Sequence, residues 1–216
     1  MTKINYVVIA TAIFSVFTAN AGVVTGTNII DGTGGDIIIT DNTGSAIAVG
    51  GGFVSLGYFS IDDAVVTAGA NAAGMVSTLG SFQSIVSGSF EDEGMYFKSF
   101  DYGKGGLDAQ NNKTLYSVMG NGADIGSSDQ FVLYKHDDVI NADGAAPGVD
   151  DNAMNVNDGS LLFGTVGGAK TVNATNLLAN SNYTSSSSFA MELVPEPSST
   201  ALLGLGGVAL LLRRRR

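Results

Sequence analysis

Short apolar runs separated by turn residues recur along the middle of the chain and are typical of β-strands. The clearest is FVSLGYF at Phe53–Phe59, which follows three consecutive glycines that favour a turn. Many short strands at this spacing predict an all-β fold, a single antiparallel β-sandwich or jelly-roll-like domain. The other runs predicted as strands are Asp36–Thr40, Ala46–Val49, Phe82–Phe90, Met95–Phe100, Lys113–Met119, Gln130–Lys135, Leu161–Val166 and Phe189–Leu193.

One stretch between these strands favours a helix. Ser60 is a suitable N-cap for a helix over Ser60–Thr67, and Ala64–Leu79 contains alanines interrupted by glycines. Two polar stretches are predicted to be exposed: the acidic Glu91–Gly94 between two strands, and a flexible run at Ser185–Ser188 before the last strand.

The first 21 residues have the three parts of a secretory signal peptide. Lys3 provides the positive charge, Tyr6–Phe17 the apolar core, and Ala19-Asn20-Ala21 a small-residue cleavage site before Gly22. An N-terminal membrane helix is the alternative, but the apolar run is short and ends in small residues. The sequence therefore predicts export, with residues 1–21 removed.

The last residues begin with a proline-rich break followed by an apolar run. Pro195 and Pro197 fix their own φ angles and favour an extended chain around Glu196. Ser199–Leu212 then gives 14 uncharged residues, six of them leucine. As a helix this run would span about 21 Å, against a hydrocarbon core of about 30 Å. It is short for a membrane span, which would require snorkelling arginines or a locally thinned bilayer.

A basic block made up of Arg213, Arg214, Arg215 and Arg216 ends the chain. On insertion scales each arginine costs about 2.5–3.5 kcal/mol at the bilayer centre. The block is therefore predicted to stay on the cytoplasmic side and to stop the tail in the membrane, with the body outside.

This C-terminal arrangement resembles the PEP-CTERM sorting signal of Gram-negative bacteria. Pro195-Glu196-Pro197, the hydrophobic run 199–212 and the basic end 213–216 match the parts of that signal in order. The resemblance implies recognition by an exosortase, a membrane cysteine peptidase, removal of the tail 194–216, and delivery of the body to the cell surface or exopolysaccharide matrix. The same kind of tail is also catalogued as the C-terminal segment of ice-binding proteins. A plain C-terminal membrane anchor is the alternative.

Residues 22–193, between the two targeting segments, are enough for one β-rich domain with a sizeable core. They contain five lysines and nineteen acidic residues, a formal charge near −14. Such a surface repels nucleic-acid phosphates and anionic lipid headgroups, and suits a soluble extracellular protein, cation association or a salty habitat. The chain has no cysteine, which excludes disulfides, thiolate catalysis and cysteine-based metal sites.

Residue types that carry catalysis are sparse. The one histidine, His136, follows the QFVLYK strand and is expected at the surface where that strand ends, which argues against a Ser-His-Asp triad. Glu91, Asp92 and Glu93 are the kind of carboxylates that cleave glycosidic bonds, but their place between two strands favours a solvated hairpin tip. We expect no intrinsic catalysis and no cofactor.

One acidic stretch partly matches a calcium-binding loop. In DDVINADGAAPGVD, Asn141, Asp143 and Asp150 fall on positions three, five and twelve of the pattern, whereas position one is Val139. A loop rich in glycine, aspartate and asparagine is the simpler interpretation, and calcium binding is the alternative.

These patterns together predict an exported protein without enzymatic activity. It is held transiently in the inner membrane by its tail and then placed by an exosortase at the cell surface or in the extracellular matrix. The alternative is an exopolysaccharide-binding module or hydrolase, assisted by calcium. No nucleic-acid partner is expected.

Overall fold

A computed structural model describes residues 22–29, 36–102, 110, 113–140, 149–154 and 159–195. Strands dominate these ranges and the helices are short, so the predicted all-β class is confirmed. None of the helices in these ranges is long and apolar enough to cross a membrane. The strands are β1 (Gly22–Thr27), β2 (Ile37–Thr40), β3 (Phe53–Phe59), β4 (Phe82–Gly88), β5 (Phe97–Tyr102), β6 (Thr114–Gly120), β7 (Gln130–Val139), β8 (Val149–Ala153), β9 (Ser160–Phe163), β10 (Thr165–Gly167), β11 (Lys170–Ala174), β12 (Asn180–Ser185), β13 (Ser187–Ala190) and β14 (Glu192–Leu193), and the helices are α1 (Asp63–Gly69), α2 (Met75–Leu79) and a 3-10 turn at Ile125–Ser127.

A large antiparallel sheet forms the centre of the domain. Its strand order is β14-β7-β6-β3-β4, and β9 pairs with β7 on the same edge as β14. β6 and β7 pair from Gly120 opposite Phe131 to Thr114 opposite Val139. β7 thus extends four residues beyond the run predicted from the sequence, and this extension determines where the histidine lies.

Two smaller sheets include parallel pairs, which the sequence did not predict. β1 lies between antiparallel β5 and parallel β8, and β13 lies between antiparallel β10 and parallel β2. Parallel partners require a long connection. Most of the chain separates β2, which ends at Thr40, from β13, which begins at Ser187. β11 and β12 form a separate antiparallel hairpin.

Alternate residues of β7 face two different cores, as the pleat of a strand requires. Val132 and Tyr134 belong to the first core, between the main sheet and the smaller sheets, which gives the sandwich its packing. Phe131 and Leu133 belong to the second core, on the opposite face. Burial on both faces explains the continuous apolar run from Phe131 to Tyr134 near the start of this strand. The first core also contains Ile37, Ile39, Leu56, Met119, Phe189 and Met191, and the second contains Val66, Met75 and Leu79 of the helices.

The helix predicted with Ser60 as its N-cap has its N-cap two residues later than expected. α1 starts at Asp63, and Asp62 is its extended N-cap residue. The Ser60 hydroxyl instead donates to the Ser81 carbonyl at 3.1 Å, next to the start of β4. The alanine-rich stretch is divided into α1 and α2, because the chain turns at Asn71, whose side-chain oxygen accepts from the Gly74 N–H at 3.0 Å.

Several segment predictions are wrong in detail, and one of them, Phe189–Leu193, is divided between β13 and β14, which belong to different sheets. Ala46–Val49 is not a strand, and only a single bridge joins Ala46 to Thr40. Leu161–Val166 is divided into β9 and β10 at Gly164, whose φ of 118° favours glycine. Ser185–Ser188 is not an exposed linker: Ser185 ends β12 fully buried, and its hydroxyl donates to the Ser187 carbonyl at 2.8 Å.

A buried asparagine joins β1, β2 and the segment before β5. The Asn28 side-chain nitrogen donates to the carbonyls of Ile37 at 2.5 Å and Gly94 at 2.7 Å. Its side-chain oxygen accepts from the Tyr96 N–H at 2.8 Å. These bonds satisfy the amide in full burial and align three segments that are distant in sequence.

Candidate functional site at the C-terminal junction

The last strand of the described chain, β14, has two residues and lies at the edge of the main sheet. In β14, Glu192 lies opposite Phe131 and Leu193 opposite Gln130. The Glu192 carboxylate also accepts a hydrogen bond of 2.7 Å from the Thr165 hydroxyl of β10. A strand this short has few ladder bonds, so its attachment depends on the residues that flank it.

Those flanking residues are buried on opposite faces of the sheet. Before β14, Met191 is buried in the first core and its N–H donates to the Thr40 carbonyl at 2.9 Å. After β14, Val194 is 5% exposed in the second core, and its N–H donates to the Asp129 carbonyl at 2.8 Å. Leu193, between them, is 52% exposed.

Pro195, the first residue of the predicted sorting motif, is exposed. Val194 is therefore the last residue of the described chain that packs into a core, and it is directly followed by Pro-Glu-Pro. Sequence reasoning did not identify Val194 as an anchor. The available signal was an apolar residue placed one position beyond a strand and just before a proline.

The remaining predicted targeting residues lie outside the described ranges, apart from Gly22. β1 begins at Gly22, which pairs with Tyr102 of β5. The residues outside the described ranges are Ala19 and Ala21 of the signal-cleavage site, Glu196 and Pro197 of the sorting motif, the run 199–212, and Arg213, Arg214, Arg215 and Arg216.

The predicted calcium residues fall mostly outside the described ranges as well. Asn141 and Asp143 lie there, whereas Asp150 is in β8, with its backbone opposite Val24 of β1. Among the residues that the structure describes, no group of three or more His, Cys, Asp or Glu side chains could hold a metal. The calcium loop stays a prediction.

His136 is not a surface residue, and that prediction is wrong. It lies inside β7 and is only 3% exposed. Its Nε2 is 2.8 Å from the Ser117 hydroxyl, which is 3.1 Å from the Tyr96 hydroxyl. The Tyr96 hydroxyl also donates to the Met154 sulfur at 3.1 Å. His136 is therefore hydrogen-bonded within the core and not to solvent, as a surface position would imply.

This buried position changes the chemistry of the histidine. Burial lowers the pKa of His136 to about 3, so the imidazole is neutral at physiological pH. Ser117 is fully buried beside it. A serine and a histidine at this distance resemble part of a hydrolytic triad, but a nucleophile must reach a substrate carbonyl, and this pair is enclosed by the sandwich.

The acidic residues Glu91, Asp92 and Glu93 do not form a solvated hairpin tip, and that prediction is wrong. Asp92 is 1% exposed, and its carboxylate accepts from the N–H groups of Asn176 at 3.1 Å and Leu177 at 2.6 Å. Glu91 forms an ion pair with Lys98. The carboxylate of Glu93 accepts from the Asn173 N–H at 2.9 Å. Asp92 and Glu93 thus attach the β11–β12 hairpin to this turn, and Glu91 attaches β5.

One groove lies on the second-core face of the main sheet, beside the 3-10 turn. It has a volume of about 340 Å³. Its floor includes Phe53 and Ser55, and the Ser55 hydroxyl is 2.7 Å from that of Ser84 on the edge strand β4. Ser87 and Asp124 also line it. Hydroxyls, a carboxylate and an apolar floor are groups that contact neutral polar ligands.

A second, smaller pocket of about 250 Å³ lies at the start of α1. The Asp63 carboxylate there accepts from Lys135 at 2.8 Å and from the Thr114 hydroxyl at 2.7 Å. Partial burial opposes ionisation, but these hydrogen bonds outweigh it and lower the pKa of Asp63. Burial, and then the neighbouring Asp63, raise the pKa of Tyr116. The Asp63 carboxylate that lines this pocket is thus paired with Lys135.

Comparison with known proteins identifies the C-terminal segment. A family model described as the PEP-CTERM protein-sorting motif matches residues 193–216. No curated protein and no solved structure matches the chain. The resemblance inferred from Pro195-Glu196-Pro197 is therefore confirmed: the chain carries a PEP-CTERM sorting motif, and the match begins at the last residue of β14. This motif implies export and exosortase-dependent sorting to the cell surface.

Proposed function

We propose that the protein is a non-enzymatic component of the cell surface or extracellular matrix, cut from its tail by an exosortase. The observation that carries this proposal is the junction itself. The sorting motif at 193–216 starts where the last strand ends, and the first proline is exposed. A compact domain is thus followed directly by a processing signal.

The tail would hold the precursor in the inner membrane until it is cut. Its uncharged run of 14 residues is short, so the four terminal arginines would contribute to retention on the cytoplasmic side. After processing, the acidic body would leave the membrane, because its charge does not favour anionic headgroups.

The residue types most suited to catalysis have structural roles, and this supports a protein without enzymatic activity. His136 and Ser117 are enclosed in the core, and the Asp92 carboxylate caps backbone N–H groups. These residues have structural partners in place of a substrate.

The test is replacement of Pro195, Glu196 and Pro197 by alanine in the full-length protein, expressed in cells that contain an exosortase. We expect an uncut precursor retained in the membrane fraction, with its mass measured on the intact protein. A chain truncated after Val194 serves as the mass reference for a tail-less body. Identical processing of the alanine variant and the wild type would contradict the proposal.

A second candidate function is binding of exopolysaccharide, which the groove at Ser55, Ser84 and Asp124 favours. The exposed Ser84 hydroxyl and the Asp124 carboxylate can exchange hydrogen bonds with sugar hydroxyls, although Ser55 is buried and Phe53 is too buried to stack on a ring. A glycan array probed with and without a chelator tests this function and its calcium-assisted form. Loss of a signal in Ser84→Leu would assign the binding to the groove, and release of shorter glycans would indicate a hydrolase.

A further inference from the structure

The residues just before Pro-Glu-Pro are attached to the domain at Met191, Glu192 and Val194. Met191 and Val194 are buried in opposite cores, and their N–H groups donate to the Thr40 and Asp129 carbonyls. Between them, Glu192 accepts the hydrogen bond from Thr165. These contacts fix the backbone of residues 191–194 within the sandwich.

No spacer separates this attachment from the motif. Val194 is buried and Pro195 is exposed, so burial in the domain ends within one residue of the start of Pro-Glu-Pro. A proline has no N–H and favours an extended residue before it, which suits a chain that leaves a sheet edge at this point.

A peptidase binds its substrate as an extended segment, using the backbone groups of the segment for its own hydrogen bonds. The N–H groups of Met191 and Val194 are already donated within the domain. An enzyme that required residues 191–194 in its cleft would have to detach β14 and withdraw Val194 from the second core. Pro195 is exposed, so placing it in a cleft does not require its withdrawal from a core.

We propose that the folded domain sets the upstream limit of processing, so that the exosortase cuts on the C-terminal side of Pro195 and the mature protein keeps β14 with Val194 in place. This inference rests on the proposed function and specifies where that function acts. One peptide C–N bond breaks: its carbonyl carbon passes to water, or to a hydroxyl or amine of a surface acceptor. The nitrogen leaves as the new amino terminus of the tail and takes up the proton that the acceptor loses.

The experiment maps the C-terminus of the processed protein by intact mass and C-terminal peptide sequencing, starting from the full-length chain in exosortase-bearing cells. The expected last residue is Pro195 or one after it. A wild-type product that ends at Val194 or earlier would overturn the inference while leaving the proposed sorting intact. A chain that is never cut would contradict both.

Two matched pairs of variants test whether the fold sets the limit. Val194→Asp places a carboxylate in the second core, whereas Leu193→Asp makes the same change at an exposed neighbour. We expect shorter products, ending upstream of Val194, from Val194→Asp and the wild-type end point from Leu193→Asp. Equal end points in the two variants would contradict control by the fold.

The second pair of substitutions lies outside the sorting motif at 193–216. It tests the same inference if Val194→Asp does not fold. Thr165→Val removes the hydrogen bond to Glu192, and Thr171→Val removes a hydroxyl contact with Thr184 on the separate β11–β12 hairpin. We expect a share of shorter products from Thr165→Val and none from Thr171→Val. An unchanged end point in Thr165→Val would show that attachment of β14 does not set the limit.

Discussion

The Ser117 hydroxyl and the Nε2 of His136 lie 2.8 Å apart in the interior of the sandwich, on adjacent strands of the main sheet. Both side chains are buried, and the Tyr96 hydroxyl completes the cluster. A buried imidazole needs a hydrogen-bond partner to avoid an unsatisfied polar group. Ser117 is this partner, so the pair is part of the architecture of the core.

The stability of the domain should fall as the pH is lowered from about 6.5. His136 takes up a proton near pH 6.5 in the unfolded chain, but burial lowers its pKa to about 3 in the folded protein. The unfolded state therefore binds more protons between these values, which destabilises the fold by up to about 1.4 kcal/mol per pH unit. Urea unfolding at pH 7.0 and 5.0 should show a loss of about 2 kcal/mol.

A His136→Gln variant is the control for this pH dependence, because it keeps a polar group that can bond Ser117 but does not titrate. We expect it to be nearly insensitive to pH between 7.0 and 5.0. The lowered pKa of Asp63 contributes only at lower pH, since its stabilisation is lost as the pH falls below about 4. An equally steep slope in His136→Gln would rule out His136 as the source.

Replacing Asn28 by alanine should destabilise the domain strongly. The change leaves the buried carbonyls of Ile37 and Gly94 and the Tyr96 N–H without this side chain as a partner. The cost should be about 2–4 kcal/mol, measured as the free energy of unfolding in urea. Asn182→Ala, at an exposed position of β12, should change it by less than about 0.5 kcal/mol. Similar losses in the two variants would contradict this role of Asn28.

Asp92→Asn should loosen the β11–β12 hairpin, because an amide nitrogen replaces one of the oxygens that accept from Asn176 and Leu177. We expect a loss of about 1–3 kcal/mol and faster amide hydrogen exchange at Leu177. Glu93→Gln should have a smaller effect, since Glu93 accepts a single N–H and is more exposed. Unchanged exchange at Leu177 in Asp92→Asn would contradict the capping role.

The parts of strands that the sequence predicted best are apolar runs buried on both faces of a sheet. Phe131, Val132 and Leu133 form a run that is apolar on either side of the sheet, and FVSLGYF is similar. The sorting motif could also be recognised from the sequence, because its three parts are adjacent in the chain. In each of these cases the local pattern contains the information that determines the structure.

The features that sequence reasoning missed depend on partners distant in the chain. β12 has one large apolar residue and was not predicted as a strand, but its Tyr183 packs in a core with Ile38 of β2 and with Met95. His136 and Asp92 have the polarity of surface residues and are buried because Ser117 and Asn176 satisfy them. Such partners are brought together only by the tertiary fold.

Replacing all four terminal arginines by serine should weaken membrane retention of the precursor. Each arginine near an anionic leaflet contributes about 1 kcal/mol of attraction, and the run 199–212 is short for a membrane anchor. We expect more tail-bearing protein in the medium, measured as the ratio of tail-bearing to tail-less protein in the supernatant. An unchanged ratio would mean that the apolar run and Pro-Glu-Pro are sufficient.

Exosortase-dependent processing is the central claim, and it is tested most directly by the intact mass of the wild-type protein in two strains that differ only in the exosortase. In the parent strain we predict a surface or matrix protein that lacks the arginine tail and ends at Pro195 or beyond. In the strain without exosortase we predict a membrane-associated chain that still ends at Arg216. A tail-less product of the same mass in both strains would contradict the account.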